Sequence, residues 1–402
     1  MKNRKAAMGF IFTTLVIDVM GIGIIIPIMP ELIMDLTGGT EGEASLWYGG
    51  LTFAYAIMQF VFAPILGGLS DKFGRRPILL GSLFGFALDY ILMALAPTIA
   101  WLFLGRLLSG LFGSSITTAT AYVADISSPE KKAQNFGLIG VAFGVGFIIG
   151  PAIGGFLGEY GPRVPFYASA IFTGLNWLFG YFILPESLSK EKRRAFQWKR
   201  ANPIGALFQF KRRPLVLGLV VSMFFIYVAA HATQSTWAFY TNVRFDWSPK
   251  AIGLSLTYVG FIVALVQGGL IRIVVPKIGE KRAIYVGLTF YAIGFVLFGL
   301  ANEGWMMYAF IIPYSLGGLA GPSIQGIISN SVPDNEQGEL QGGITSMINV
   351  TTIIGPPLMT GLFYYFTSPE NSIYLPGAPF FLGALLSLVC LLIARNSLVK
   401  HF

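Results

Sequence analysis

Four ionisable side chains lie inside long apolar stretches of the sequence: Asp18, Asp89, Arg106 and His231. Apolar stretches of about 20 residues have the length of a bilayer crossing. An ionisable group is costly to bury in lipid, so its presence there indicates a functional role or a nearby partner. These residues are therefore the first candidates for proton or substrate chemistry.

Asp89 and Arg106 belong to consecutive antiparallel spans and should lie at similar depth. Each is about eight residues from the outer end of its span, at a rise of about 1.5 Å per residue. One interpretation is a structural pair in which each charge offsets the burial of the other. The other is that Asp89 exchanges protons and Arg106 responds to its charge. Asp18, near the middle of the first span, has no fixed partner in the sequence, which favours a proton-carrying role.

His231 begins a polar cluster in the seventh span that continues with Gln234 and Trp237. This cluster is typical of a cavity for a flat, partly polar substrate, with Trp237 stacking on it. A histidine that hydrogen-bonds between packed helices explains the pattern equally well. Other polar residues in or beside apolar spans are further candidates for the cavity: Gln59, Gln325, Gln341 and Asn349.

The elements that position these residues are membrane spans. The 402 residues are 54% hydrophobic and 11% charged, a composition that excludes an ordinary soluble domain. Twelve apolar stretches can cross a bilayer, which predicts an all-α membrane protein: 8–32, 47–69, 78–97, 99–124, 135–158, 164–184, 215–241, 250–275, 282–301, 305–329, 340–366 and 376–395.

The net charge of +8 is concentrated in one loop between the sixth and seventh spans. Residues 186–213 contain nine Lys or Arg against two Glu, a surplus of +7. Basic loops stay on the cytoplasmic side, which predicts cytoplasmic termini and a cytoplasmic linker at 186–213. The surplus thus reflects topology and contact with membrane lipid, and argues against nucleic acid as a partner.

A charged turn at Gly67–Pro77 separates two apolar stretches, and a fainter copy at Arg272–Arg282 follows 205 residues later. Ile148–Pro151 and Ile353–Pro356 repeat at the same offset. Such repeats predict two parallel bundles of six helices, at 1–185 and 214–402.

Charged residues at the first turn predict a cytoplasmic gate. Arg75 lies on the same side of the membrane as Asp71 and Asp125, and can pair with Asp125. Together with Arg76, these residues would hold the cytoplasmic side shut in one state and release it in another. The alternative is a turn that only fixes topology.

Span five contains Gly146, Gly150 and Gly154 at four-residue spacing, with Pro151 beside them. Small residues on one helix face allow two backbones to approach closely in lipid, and proline bends a helix. This pattern predicts either plain packing or a pivot on which the two halves rock.

Several of these segments resemble signatures of the major facilitator superfamily: Gly67–Pro77, Leu104–Gly110 and Gly140–Gly155. Three others resemble the bacterial tetracycline/proton antiporters: Asp18–Gly23, Tyr55–Gln59 and Leu88–Tyr90. The resemblance implies the major facilitator fold, with twelve transmembrane helices in two pseudo-symmetric bundles.

The same resemblance implies roles for particular residues. Proton or substrate roles fall on Asp18, Gln59, Asp89 and Arg106, and a gate forms on Asp71, Arg75 and Asp125. It also implies a monomer in the bacterial inner membrane that uses the proton gradient without a cofactor and exports a drug, sometimes as a metal chelate.

The second half departs from the antiporter pattern. Tetracycline exporters carry a histidine in span eight and an aspartate in span nine, whereas Val263 and Tyr291 occupy these positions here. The expected substrate is therefore a tetracycline-type or another amphipathic compound. The alternatives are a proton-coupled importer of a metabolite, sugar or metal chelate, and a receptor or channel. An enzyme is least favoured because no nucleophile–base set, metal cluster or cofactor loop is present.

Overall fold

The structure, a computed structural model, describes residues 2–113, 115–127, 132–196, 213–333 and 336–401. Within these ranges the chain is helical and contains no β-strand, which confirms the predicted all-α fold. Residues 197–212 of the predicted linker lie outside the described ranges.

The first half of the chain forms eight helices in the described residues. They are α1 (Lys2–Ile25), α2 (Met29–Thr37), α3 (Glu41–Phe73), α4 (Arg75–Ala94), α5 (Ile99–Gly113), α6 (Ser115–Ile126), α7 (Lys132–Gly158) and α8 (Val164–Ile183).

The second half forms eight more in its described part. They are α9 (Pro214–Phe245), α10 (Pro249–Leu265), α11 (Ile271–Ile278), α12 (Glu280–Leu300), α13 (Gly304–Leu316), α14 (Ala320–Asn330), α15 (Gln337–Thr367) and α16 (Ala378–His401).

Ten segments of the described chain are long and apolar enough to cross a membrane. The predicted spans at 305–329 and 340–366 are helical but are not among the ten. The first is divided between α13 and α14, and the second lies within α15, which begins with the polar residues Gln337-Gly338-Glu339.

Three of the predicted spans are interrupted by short turns of other helical types. A 3₁₀ turn containing Pro27 joins α1 to α2, and another at Gly317–Leu319 joins α13 to α14. A π turn at Val266–Leu270 joins α10 to α11. Proline and paired glycines weaken the regular helical ladder, which explains why the breaks occur at these sequences.

The chain forms two compact units. Unit 1 comprises Met1–Gly38, Ala54–Asn202 and Ser248–Thr257, and unit 2 comprises Gly39–Phe53, Pro203–Trp247 and Tyr258–Phe402. Gly39–Phe53 and Ser248–Thr257, which we call the exchanged segments, each belong to the unit formed mainly by the other half of the chain.

In unit 1, helices α1 and α7 pack backbone to backbone through the glycines of span five. A Cβ on Gly146 would lie 2.7 Å from the Val16 carbonyl oxygen, and one on Gly150 would lie 2.6 Å from that of Met20. Gly154 meets the α1 backbone in the same way. The close approach therefore depends on the absence of side chains at these positions.

Each exchanged segment packs tightly inside its unit. In unit 1, a Cβ on Gly155 would lie 2.6 Å from the Pro249 carbonyl oxygen, and Thr257 donates a hydrogen bond to the Ile148 carbonyl at 3.0 Å. In unit 2, Ser45 donates to the Thr360 carbonyl at 3.3 Å, and glycines of α3 lie against α15.

Candidate functional sites

The buried carboxyl of Asp89 is the centre of a polar cluster in unit 1. Asp89 is 1% exposed, and one of its oxygens, Oδ2, accepts a hydrogen bond from the Ser109 hydroxyl on α5. The other oxygen, Oδ1, is buried without a hydrogen-bond partner in the described part of the chain. It faces the backbone of α5, since a Cβ on Gly105 would lie 3.1 Å from it.

Arg106 lies near Asp89, Tyr55 and Tyr90. It is half-buried on α5, one turn before Ser109. The structure thus brings Arg106 near Asp89, as the depth argument predicts, but the hydroxyl that touches the carboxylate belongs to Ser109. Ser109 was not among the candidates from sequence. Its position three residues after Arg106 is the signal that could have identified it, because residues at this spacing share a helix face.

Asp18 joins the same cluster from α1. Its side chain is 8% exposed and lies near Tyr55 and Tyr90. The phenol of Tyr90 packs on the α1 backbone one turn later, where a Cβ on Gly21 would lie 3.1 Å from Tyr90 Cζ.

Gln59 completes the cluster from α3. Its amide donates a hydrogen bond to the Tyr55 hydroxyl at 3.1 Å. Helices α1, α4 and α5 and the unit 1 part of α3 therefore contribute acidic, basic and hydroxyl groups to one buried region.

The predicted gate residues are also connected within unit 1. Gly74 adopts a φ of 107°, which turns the chain sharply between α3 and α4. Arg75 then contacts Asp71 at 2.5 Å and Asp125 at 3.2 Å, and donates to the Ser70 hydroxyl at 2.6 Å. This guanidinium ties together the ends of α3, α4 and α6.

Glu186 is a part of this network that sequence reasoning missed. Its carboxylate accepts the backbone N–H groups of Arg75 at 2.9 Å and Arg76 at 3.3 Å, the first residues of α4. Helix N-termini have unpaired N–H groups and a positive dipole end, so an acidic side chain stabilises them. The signal in the sequence is an acidic residue just after predicted span six. The sequence analysis predicts this residue on the same side of the membrane as the charged turn.

Arg76 is fixed at the same turn by a different contact. Its guanidinium donates to the Tyr181 carbonyl at 2.7 Å and lies over the Tyr181 ring at 5.9 Å. Arg76 therefore links the turn to the end of α8.

The second charged turn has a similar backbone but different side-chain contacts. Gly279 has φ 79° and ψ 155°, close to the φ 107° and ψ 159° of Gly74. Pro276 stands where the first turn has Asp71. Glu280 takes the place of Arg75 and lies against Gly326 of α14, where a Cβ would be 2.7 Å from its carboxylate.

The predicted substrate residues of the second half lie at several places in unit 2. His231 is 6% exposed, and its ring packs on α15, where a Cβ on Gly355 would lie 2.6 Å from His231 Cγ. Trp237 is 1% exposed and packs edge-on against Phe298, with ring centroids 5.1 Å apart. Gln234 is exposed, and Asn349 is half-buried.

Gln325 forms a pair that the sequence did not indicate. Its amide donates to the Gln341 side chain at 3.3 Å, so α14 and α15 are linked by two exposed glutamines. A cavity role for these polar residues of unit 2 stays a prediction.

An aromatic cluster fills the region of α12 and α13 in unit 2. The Tyr314 ring lies 5.2 Å from that of Tyr291 and 5.3 Å from those of Phe295 and Phe298. Its hydroxyl lies 3.0 Å from the Thr233 hydroxyl. Among the described residues, no group of three or more His, Cys, Asp or Glu side chains has the arrangement of a metal site.

A family model described as Major Facilitator Superfamily matches residues 11–317 and 245–400 of the chain. The tetracycline resistance protein of class C from Escherichia coli is 38% identical over 97% of this chain and 96% of its own. The class D protein from Salmonella ordonez is 36% identical over 98% of both.

Two solved structures share the fold at lower identity. The nucleoside transporter NupG matches with a TM-score of 0.78 at 14% identity, covering 97% of this chain and 99% of its own. The human organic anion transporter MFSD10 matches with a TM-score of 0.71 at 23% identity and the same coverage.

Proposed function

The chain belongs to the major facilitator superfamily, and from this membership we propose that it exports tetracycline-type drugs in exchange for protons. It is a multi-pass membrane transporter of the drug efflux type and not an enzyme. The identity of the drug and the roles of individual residues are the parts that we propose.

The observation that carries the proposal is the buried cluster of Asp18, Asp89 and Arg106 in unit 1. Burial in low dielectric disfavours the charged form of a carboxyl group, and a nearby guanidinium favours it. A carboxyl under both influences can gain or lose a proton after a small change in its surroundings. Asp89 is buried and lies near Arg106, and both Asp89 and Asp18 lie near Tyr90.

In the proposed cycle, a proton from outside neutralises Asp89 or Asp18, and the protein then returns to the state that faces the cytoplasm. Drug entering from the cytoplasm replaces the proton. The contacts of Arg75 with Asp71 and Asp125, and those of Arg76 and Glu186, serve as the cytoplasmic gate. Gly146, Gly150, Pro151 and Gly154 provide the pivot in this scheme.

We also propose where the protein lies and how its chain is oriented in the membrane. We place the protein in the bacterial inner membrane as a monomer with both termini in the cytoplasm and the basic linker 186–213 near lipid head groups. The surplus of Lys and Arg in that linker supports this orientation of the chain in the membrane. Two six-helix bundles at 1–185 and 214–402 would arise from the duplicated sequence.

Residues of unit 2 are proposed to select the drug: His231, Gln234, Trp237, Gln325 and Asn349. Gln59, the other candidate from the sequence, belongs to unit 1. The aromatic cluster around Tyr314 takes the place of acidic residues in this half. Aromatic rings and hydroxyl groups suit a polycyclic, hydroxylated drug such as a tetracycline, alone or as its metal chelate.

The test uses the full-length protein reconstituted in vesicles with a pH-sensitive dye inside. Addition of tetracycline should drive proton movement opposite to drug movement, and Asp89→Asn should abolish the signal while the protein still folds. Proton movement in the same direction as the drug would indicate an importer, and drug movement without protons would overturn the exchange mechanism.

A further inference from the structure

We infer that Ser109 is a positioning residue that sets the proton affinity of Asp89. This inference rests on the proposed function, because it concerns the carboxyl that is proposed to carry the proton. It adds a residue outside the charged and acidic set considered above.

The two oxygens of the Asp89 carboxyl have different surroundings. Oδ2 accepts the Ser109 hydroxyl, whereas Oδ1 is buried, has no hydrogen-bond partner in the described residues and faces the Gly105 backbone. A buried hydrogen-bond acceptor without a donor is rare in folded proteins, so its presence here must have a physical reason. A proton on Oδ1 supplies one, because a neutral hydroxyl costs less to bury without a partner than a charged oxygen does.

The Ser109 hydroxyl has one proton to donate and can keep donating it to Oδ2 in both states of Asp89. When Asp89 is charged, this bond stabilises the carboxylate. When Asp89 is neutral, the proton resides on Oδ1, and the Ser109 bond need not break. Ser109 thus orients the carboxyl so that the same oxygen gains and loses the proton in every cycle.

Other charged and titratable groups also lie near Asp89. Arg106 on α5 and Tyr90 on α4 are the charged and titratable groups near Asp89, and Asp18 and Tyr55 lie near Tyr90. Ser109 is the side chain in direct hydrogen-bond contact among them. Because hydrogen bonds to a charged group are among the stronger ones, removing this donor should have a measurable effect.

The predicted variant is Ser109→Ala. Loss of the donor removes stabilisation of the carboxylate, so the proton binds more tightly. The pH at half-maximal drug-driven proton exchange should therefore rise by about one unit, a tenfold tighter proton. The conservative Ser109→Thr should restore the wild-type profile, because it retains a hydroxyl.

The matched control is Ser169→Ala in α8. Ser169 is equally buried in unit 1, but its hydroxyl donates to the Pro165 carbonyl of its own helix at 3.0 Å. Its removal should leave the pH profile unchanged. If a general loss of packing in unit 1 caused the effect, the pH profiles of both variants would shift.

A second measurement reads the carboxyl directly. Infrared difference spectroscopy can follow the band of the protonated carboxyl during a pH titration, with Asp89→Asn to identify the band. We expect the Ser109→Ala titration to move to higher pH by the same amount as the transport profile.

The outcomes separate the two proposals. If wild-type protein shows no proton-coupled drug movement, the proposed function fails. If the wild type couples normally and Ser109→Ala leaves both the transport profile and the carboxyl titration in place, the function stands and the role of Ser109 is refuted.

Discussion

The helix pair α4–α5 in unit 1 and the pair α12–α13 in unit 2 occupy corresponding places in the duplicated sequence but contain opposite chemistry. The positions 205 residues after Asp89 and Ser109, which correspond to them in the repeat, are Gly294 and Tyr314. These two are also in contact, since a Cβ on Gly294 would lie 2.6 Å from the Tyr314 Cα. The helices approach closely in both pairs, but unit 2 has a glycine and an aromatic ring where unit 1 has an acid and a hydroxyl.

This difference shows how two copies of one scaffold can divide a transport reaction. At these matched positions, unit 1 has an acid and a hydroxyl, and unit 2 has rings that offer apolar area and neutral hydroxyls. Substitutions at matched positions of the two units can separate the two kinds of chemistry.

Asp89→Asn should reduce drug-driven proton exchange by about 100-fold or more, because an amide cannot accept and release the proton. The counterpart change in unit 2, Tyr314→Phe, removes only the hydroxyl that meets Thr233. It should leave proton coupling intact and alter drug affinity. Equal losses of coupling in both variants would abolish the distinction between the units.

Phe298→Ala should lower the free energy of unfolding by about 3–5 kcal/mol, because it empties the centre of the aromatic cluster. Phe298 is fully buried, and its ring is 5.1 Å from Trp237 and 5.7 Å from Phe380. Thermal unfolding in detergent measures the cost. The fraction that remains folded should keep the wild-type pH profile, and a shifted profile would show that unit 2 takes part in proton binding.

Gly74→Ala should cost about 3 kcal/mol, and Gly279→Ala only about 1–2 kcal/mol, although both glycines have backbone angles that favour glycine. The additional cost at Gly74 comes from Glu186, whose Cδ would lie 2.8 Å from the new methyl group, whereas Gly279 has open space around it. Unfolding temperatures of the two variants in the same detergent provide the comparison. A more severe effect at Gly279 would contradict it.

Glu186→Gln should destabilise the protein by about 1–2 kcal/mol, since it removes the charge that meets the N-terminus of α4. Glu280→Gln, at the other turn, should change stability by less than about 0.5 kcal/mol. The two differ because Glu186 accepts two backbone N–H groups and Glu280 lies against Gly326. Thermal unfolding of both variants at low salt, where charge effects are largest, is the measurement.

Sequence patterns predicted the helical class, the duplication and the proximity of Asp89 to Arg106. These follow from composition, spacing and helical rise, which fix the position of a residue along the membrane. They do not fix the rotation of a helix about its axis. For that reason the contact of Ser109 with Asp89 could not be predicted, although Arg106, one turn before Ser109, was placed at a similar depth to Asp89.

The breaks within spans eight and ten illustrate a second limit. Gly268-Gly269 and Gly317-Gly318 mark both sites in the sequence, yet glycine permits a π turn, a 3₁₀ turn or a regular helix. Packing decides among them. Glu186 was counted with the charges of a basic linker, and only the folded turn shows that it accepts hydrogen bonds from α4.

The exchanged segments have a consequence for expressing parts of this protein. Gly39–Phe53 is encoded in the first half of the gene but belongs to unit 2, and Ser248–Thr257 is encoded in the second half but belongs to unit 1. A gene divided at the linker would therefore yield two polypeptides, each lacking a piece of its own compact unit. Neither fragment should fold fully alone, and the two should recover their structure only when produced together in one membrane.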